Sequence, residues 1–228
     1  MVETTTQPPG QRAVTKPMII ARQRWLGDPT QATLKQRLKS NKATTKRHPS
    51  MPIIRPSLSA DIPAITAIYA HHVLNSTGTF ETEAPSADDM ASRRADVLGK
   101  GLPYLVVLEN AEVVGFAYGN WFKPRPAYRY SVEDSIYLAP SQHGKGLGRA
   151  LLAELLARCE AVGSRKVMAV VGDSANAASV GLHLALGFEQ VGKIDACGWK
   201  FGAWRDIVIM QKTLGLGGSQ PPADVLNR

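Results

Sequence analysis

From residue 52 onward, apolar and polar positions follow two different periods, and each change of period marks a new element. Pro52–Pro56 is a short apolar-centred run, Ile53-Ile54, that predicts a first strand. Ile65, Ile68, Tyr69 and His72 then recur at helical spacing, with Asp61 placed to cap the helix and Pro63 in its first turn. Asn75–Pro85 is polar and turn-rich. Ser86, with Asp89 three residues on, makes a capping box for a second helix that runs to about Leu98 and stops at Gly99 and Gly101. Tyr104–Leu108 and Val113–Gly119 are β-rich, and Glu109–Glu112 between them predicts a hairpin turn. Trp121–Tyr130 is a Pro- and aromatic-rich loop. Tyr130–Leu138 predicts a strand with Val132, Asp134, Ile136 and Leu138 on one face and Ser131, Glu133, Ser135 and Tyr137 on the other.

The second half repeats the pattern with longer helices. Leu147 to about Val162 is helical and Gly163 stops it; Lys166–Val171 is a continuous apolar run of the kind buried in the middle of a sheet. Asn176–Leu186 predicts a helix ended by Gly187, followed by a strand over Phe188–Ile194, a loop over Cys197–Ala203 and a last strand over Trp204–Lys212. The order β-α-α-β-β-β-α-β-α-β-β mixes crossovers with hairpins. It predicts an α/β fold, a mixed central sheet of about seven strands with helices on both faces.

Composition changes this picture mainly at the ends. Residues 1–50 hold ten Lys and Arg against Glu3 and Asp28, whereas the remainder carries seventeen of each sign, so the high pI belongs to the N-terminal segment. Residues 1–51 are expected to be a basic, disordered extension, 52–214 a single domain and 215–228 a flexible, Gly/Pro-rich tail. Three readings of the extension stay open: a polyanion-binding tail that touches nucleic acid, a targeting leader, or a dispensable segment. No apolar run reaches the length that spans a bilayer, and two cysteines, Cys159 and Cys197, make no metal or disulfide pattern, so a cytoplasmic protein is expected. His71 and His72 are adjacent, point about 100° apart on a helix and have no acid cluster near them, so packing or solvent contact is expected of them and no metal.

The candidate chemistry centres on His143-Gly144-Lys145-Gly146-Leu147-Gly148-Arg149, between the Tyr130–Leu138 strand and the helix that follows. Three glycines in five residues let the backbone approach a ligand with its N–H groups forward. The helix start adds unpaired donors and the positive end of the macrodipole, and Lys145 and Arg149 add charge. The product is a cradle for a pyrophosphate. It lacks the G-x-x-x-x-G-K-[ST] of a Walker loop and reads G-x-G-x-G where a dinucleotide fingerprint needs G-x-G-x-x-G.

This loop resembles the [QR]-x-x-G-x-[GA] phosphate loop of the GNAT acetyltransferases, with His143 at the first position and Gln142 one place early. Asn176-Ala177-Ala178-Ser179-Val180-Gly181-Leu182-His183-Leu184-Ala185-Leu186-Gly187-Phe188 is similar to a second GNAT signature, with Ser179 for Ala and His183 for Tyr. Phe80, Thr82 and Glu83, the strand Glu133, Ser135, Ile136, Tyr137, and the loop Gly198, Trp199, Lys200, Gly202, Trp204, Asp206 resemble the phosphinothricin N-acetyltransferase group, which also acetylates methionine sulfoximine and methionine sulfone.

The resemblance implies an acetyl-CoA-dependent N-acetyltransferase for a small glutamate-like amino acid, working as a homodimer in resistance or detoxification, with another small amine or a protein amine as the alternative acceptor. Its acetyl-CoA residues would be Tyr137, Leu138, His143, Gly144, Lys145, Gly146, Leu147, Gly148, Arg149, Asn176 and Ser179. Asn176 would hold the pantetheine arm or merely cap its helix. Backbone N–H groups near Leu138 would polarise the thioester carbonyl. An ammonium acceptor must lose a proton, and Glu133, mid-strand before the cofactor's entry, would take it unless it is a structural ion-pair partner. His183 would meet the departing thiolate or be a satisfied helix histidine. Phe80, Thr82 and Glu83 would form the acceptor loop, and Arg125, Arg129 or Lys200 would meet a carboxylate or phosphinate.

Overall fold

The computed structural model describes residues 52–222, and the basic segment lies outside them. Seven strands form one sheet in the order β1-β2-β3-β4-β5-β7-β6. They are β1 (Ile53–Pro56), β2 (Tyr104–Glu109), β3 (Glu112–Trp121), β4 (Ser131–Leu138), β5 (Lys166–Gly172), β6 (Glu189–Lys200) and β7 (Ala203–Thr213). Four helices cover the sheet: α1 (Ile62–Asn75), α2 (Ala87–Gly99), α3 (Leu147–Ala161) and α4 (Ala177–Ala185). Every neighbouring pair of strands is antiparallel except β4 and β5. No helix among the described residues is long and apolar enough to cross a membrane.

Both faces of the sheet are covered at β2, as the unbroken burial of Tyr104–Val107 requires, whereas β6 at the far edge is exposed along most of its length. On one face Phe116 and Tyr118 stack with Tyr104, and Tyr69 of α1 meets Phe116 edge-on. On the other, the backbone of Gly119 sits against Cys159 of α3 and Val132, close enough that a Cβ would lie 3.1 Å from Cys159 Sγ. Leu151, Leu152 and Leu155 of α3 are fully buried there, each contributing on the order of 2 kcal/mol of transfer free energy.

Local sequence explains most element ends. Ser86 accepts from Asp89 N–H while the Asp89 carboxylate accepts from Ser86 N–H, closing the capping box. Asn110 and Ala111 both take positive φ, which gives the β2–β3 hairpin a two-residue turn matched to strand twist. Two expectations change. Asp61 does not cap α1 with its side chain; its carboxylate takes both arms of Arg55 at 2.7 and 2.8 Å and the Leu58 N–H. The Arg55 hydrogen bond holds that carboxyl below the usual range. The expected loop over Cys197–Ala203 is instead β6 continuing to Lys200, with Phe201 and Gly202 at positive φ forming a tight turn into β7. The register shifts between Ile194 and Gly198, which breaks the alternation that periodicity relies on.

The Tyr104 hydroxyl is buried without a hydrogen-bond partner. Tyr104→Phe is expected to raise stability by up to about 1 kcal/mol, because an unsatisfied buried group is removed and the ring stack kept. Thermal unfolding checks this; a lower melting temperature would show that the hydroxyl has a partner in solution.

Candidate active site

The single parallel pairing is short. β4 and β5 match at Ser131 with Lys166, Val132 with Val167 and Glu133 with Met168, and then part. β4 stays on β3 to Leu138, and β5 stays on β7 to Gly172. The sheet therefore opens into a wedge past Glu133, and the facing backbone groups lose their strand partners. The Ala139 N–H is used on Val114 O of β3, and strand alternation turns the groups of Leu138 to the open edge, where its carbonyl accepts from His72 Nε2 at 2.8 Å.

Two cavities meet at the wedge. The first, about 660 Å³, runs from Ile136, Tyr137 and Leu138 along the glycine loop to α4. His143, Gly144, Gly146, Gly148, Arg149, Asn176 and Ser179 line it. Gly144 and Gly146 have φ of 76° and 80°, a conformation that turns successive N–H groups toward the groove at the start of α3. Lys145 and Leu147 belong to the same loop but do not line the groove: Lys145 Nζ donates to Gln142 Oε1 at 2.6 Å and to Glu109 at 2.9 Å, and Leu147 is buried in the core. Asn176 caps α4, its Oδ1 accepting from Ser179 N–H at 3.2 Å, which leaves the amide NH2 for the groove. His72, expected from sequence only to pack or meet solvent, lines this groove, and burial lowers its imidazole below the ordinary range.

The second cavity, about 400 Å³, lies on the β5 side and is lined by Phe80, Glu133, Asp134, Ser135, Gly172, His183 and Cys197 among others. Phe80 is seated between two glycines: a Cβ at Gly198 would overlap its ring, and one at Gly172 would meet it at 3.2 Å. The Glu133 carboxylate has no hydrogen bond among the described residues, and it is raised, chiefly by loss of hydration and then by the charge of Asp134, with Lys123 opposing.

The other expected acceptor residues are less central. Thr82 and Glu83 are exposed and line neither cavity. The inward acid of that loop is Glu81, which accepts from the Tyr69 hydroxyl at 2.8 Å and from Arg93 at 2.6 Å. Arg125 is exposed at the turn Pro126–Tyr128, away from both cavities, and the Arg129 guanidinium lies over the Tyr130 ring at 4.3 Å. Lys200 is 3% exposed and donates to Thr79 O at 2.7 Å; burial lowers its ammonium, so its present role is to tie the Phe80 loop to β6. His183 is 2% exposed, with Nδ1 2.7 Å from Ser179 O and Nε2 3.1 Å from Asp134 Oδ2. Both nitrogens are engaged, so it has none free for a departing thiolate. Residues 66–188, more than half of the chain, match the model of the acetyltransferase (GNAT) family.

The chain belongs to the GNAT acetyltransferase family. It is 50% identical over 162 residues to the phosphinothricin N-acetyltransferase of Alcaligenes faecalis, covering 71% of this chain and 82% of that one. It is 43% identical over 173 residues to an L-methionine sulfoximine/L-methionine sulfone acetyltransferase of Pseudomonas paraeruginosa, covering 74% and 98%. The solved phosphinothricin acetyltransferase of Sinorhizobium meliloti, in complex with AcCoA, superposes with a TM-score of 0.75 at 44% identity, over 77% of this chain and 95% of that one.

In this GNAT enzyme no group of three or more His, Cys, Asp or Glu able to hold a metal occurs among the described residues. His183 is raised overall: burial opposes its charge, but the hydrogen bond and charge of Asp134 and the Ser179 carbonyl outweigh it. A raised imidazole stabilises the fold fully below its unfolded value of about 6.5 and loses that contribution as pH climbs through the folded value. His183→Gln is therefore expected to cost about 3–5 kcal/mol at pH 6, because Asp134 is left buried without its cation, and clearly less at pH 9. Denaturant unfolding at the two pH values measures it; an equal loss at both would show that the ring is neutral.

Proposed function

We propose that this GNAT enzyme transfers the acetyl group of acetyl-CoA to the amino group of a small glutamate-like amino acid of the phosphinothricin, methionine sulfoximine or methionine sulfone kind, in detoxification or resistance. The observation that carries the reading is the wedge past Glu133, where a long groove on an N–H-rich loop meets a smaller polar cavity. A groove of that length suits pyrophosphate and pantetheine, with Gly144, Gly146, Gly148 and Arg149 at the phosphates and Asn176 beside the arm. The smaller cavity suits an amino-acid-sized acceptor. The activities for which the relatives above are named support the acceptor class.

Each residue then has a stated task. The open edge of β4 near Leu138 offers backbone donors to the thioester carbonyl, where charge develops. Glu133, partly buried and with no hydrogen bond to its carboxylate among the described residues, takes the proton of the incoming ammonium, directly or through one water. The amine nitrogen attacks the carbonyl carbon, the C–S bond breaks, and the second proton that the nitrogen sheds as the amide forms goes to the departing coenzyme A sulfur, directly or through water. Phe80 bounds the acceptor, and the loop that carries it is held by Lys200 and by the Glu81–Arg93–Tyr69 cluster.

The purified enzyme is expected to release free thiol from acetyl-CoA with the three named acceptors and far more slowly with unrelated amines. Glu133→Gln should lower kcat at neutral pH by about 100-fold or more with acetyl-CoA affinity nearly unchanged, the range for removal of a general base. No release with any of the three would sink the acceptor class; undiminished turnover in Glu133→Gln across the pH range would remove that residue as base.

We further propose a homodimer formed through the outer hairpin β6–β7. Val191, Ile194, Trp199, Phe201 and Trp204 are all about half exposed or more on this hairpin, with the Trp199 and Trp204 rings in edge-on contact, and a second copy would take these apolar side chains out of water. Light scattering of the wild type should give twice the chain mass, and Trp204→Glu should give a monomer; a monomeric wild type overturns the assignment.

A further inference from the structure

Asp134 is the residue at which the wedge begins, and its surroundings are unusual for a carboxylate. Its side chain is 2% exposed, with Oδ2 on His183 and Oδ1 without a hydrogen-bond partner among the described residues. Both groups facing the His183 ring, the Ser179 carbonyl and the Asp134 carboxylate, are acceptors, which favours hydrogen on both ring nitrogens, the direction in which Asp134 also moves the imidazole. In that form the pair is a buried imidazolium on α4 and a carboxylate on β4 with one oxygen uncompensated. Removing either partner from such a pair is strongly destabilising, and an apolar pair in its place is often as stable or more so, so stability alone is a weak reason for its presence.

Its neighbour supplies a reason. Glu133 and Asp134 point to opposite faces of β4, and in a continuous sheet β5 would separate them. Glu133 is the last residue of β4 paired with β5 and Asp134 the first beyond the parting, and both line the same 400 Å³ cavity. We propose that Asp134, paired with His183, is a positioning residue of the transfer reaction, a buried carboxylate set beside Glu133 so that Glu133 collects the proton of the incoming amine.

This rests on Glu133 as the base. Asp134 and His183 exchange no proton in the step: the amine proton passes to a Glu133 oxygen, and the pair stays as it is. The charge of Asp134 raises the Glu133 carboxyl, second only to loss of hydration, and Lys123 on the neighbouring loop acts against it. The other titratable groups on the cavity are Tyr69, Tyr118 and Tyr137, which burial raises and so keeps neutral, and Cys197 of β6.

The test reads Glu133 itself. In protein labelled with 13C at glutamate side-chain carboxyls, the Glu133 resonance is the one lost in Glu133→Gln. Asp134→Asn deletes the charge and keeps the shape. The Glu133 midpoint should fall by at least about half a pH unit, a shift on the scale of one nearby charge, and the acid limb of kcat/KM against pH should fall with it. An unmoved midpoint in a folded Asp134→Asn protein overturns the proposal and leaves Glu133 free to be the base by burial alone. A midpoint that moves without the limb overturns Glu133 as base, and the positioning role of Asp134 falls with it. Two measurements need no stable Asp134 variant. Lys123→Met should move the midpoint up, and the 15N resonances of wild-type His183 should show both nitrogens protonated throughout the active range. A neutral His183 ring overturns the proposal.

Discussion

Two strands that should run side by side hold each other for only three residue pairs. Both cavities of the candidate site depend on that parting after Glu133 and Met168. Because β4 remains bound to β3 and β5 to β7, neither strand frays, and the sheet behaves as two half-sheets hinged at one short ladder. The open edges carry backbone groups that cannot remain unpaired away from water. His72 takes the Leu138 carbonyl, and the remaining donors are left for a ligand that enters the gap. A binding slot with its hydrogen-bonding walls already in place follows from interrupting a sheet.

The wedge also reorganises the charges around it. Adjacent residues on a strand are ordinarily insulated by the sheet, one on each face. At the wedge, Glu133 and Asp134 share a cavity, and their difference lies in their partners. The Asp134 carboxylate has His183, whereas the Glu133 carboxylate has no hydrogen bond among the described residues and is raised by loss of hydration and by Asp134. The loop that carries Phe80 is held on the same plan. Glu81 is matched by Arg93 and the Tyr69 hydroxyl, Lys200 is tied to a carbonyl, and Phe80 occupies a slot that only two glycines leave open.

The elements are largely legible in the chain because each face of a half-buried helix or strand writes its own period into it. Legibility fails where local geometry departs from those periods. The extension of β6 through Cys197–Lys200 is hidden by a register shift and by a strand exposed along most of its length. Asp61 carries the signature of a helix cap, but Arg55 across the turn competes for the same carboxylate and takes it. Within the glycine loop, Lys145 and Leu147 group with the groove residues by sequence because they are neighbours in the chain. Only the direction of each side chain shows that Lys145 turns to Gln142 and Glu109.

By itself the sequence determined the order of strands and helices, the glycine-rich turn into α3 and the presence of an acid midway along β4, because these depend on residue type and spacing within a dozen positions. The tertiary structure decided which of those residues face one another. That His72 reaches the Leu138 carbonyl, that Glu81 and not Glu83 turns inward, and that Asp134 meets His183 are contacts between residues 12 to 66 positions apart. Such contacts are set by how β4 leaves β5 and how α1 and α4 close over the gap, and no local pattern encodes the angle at which two strands part.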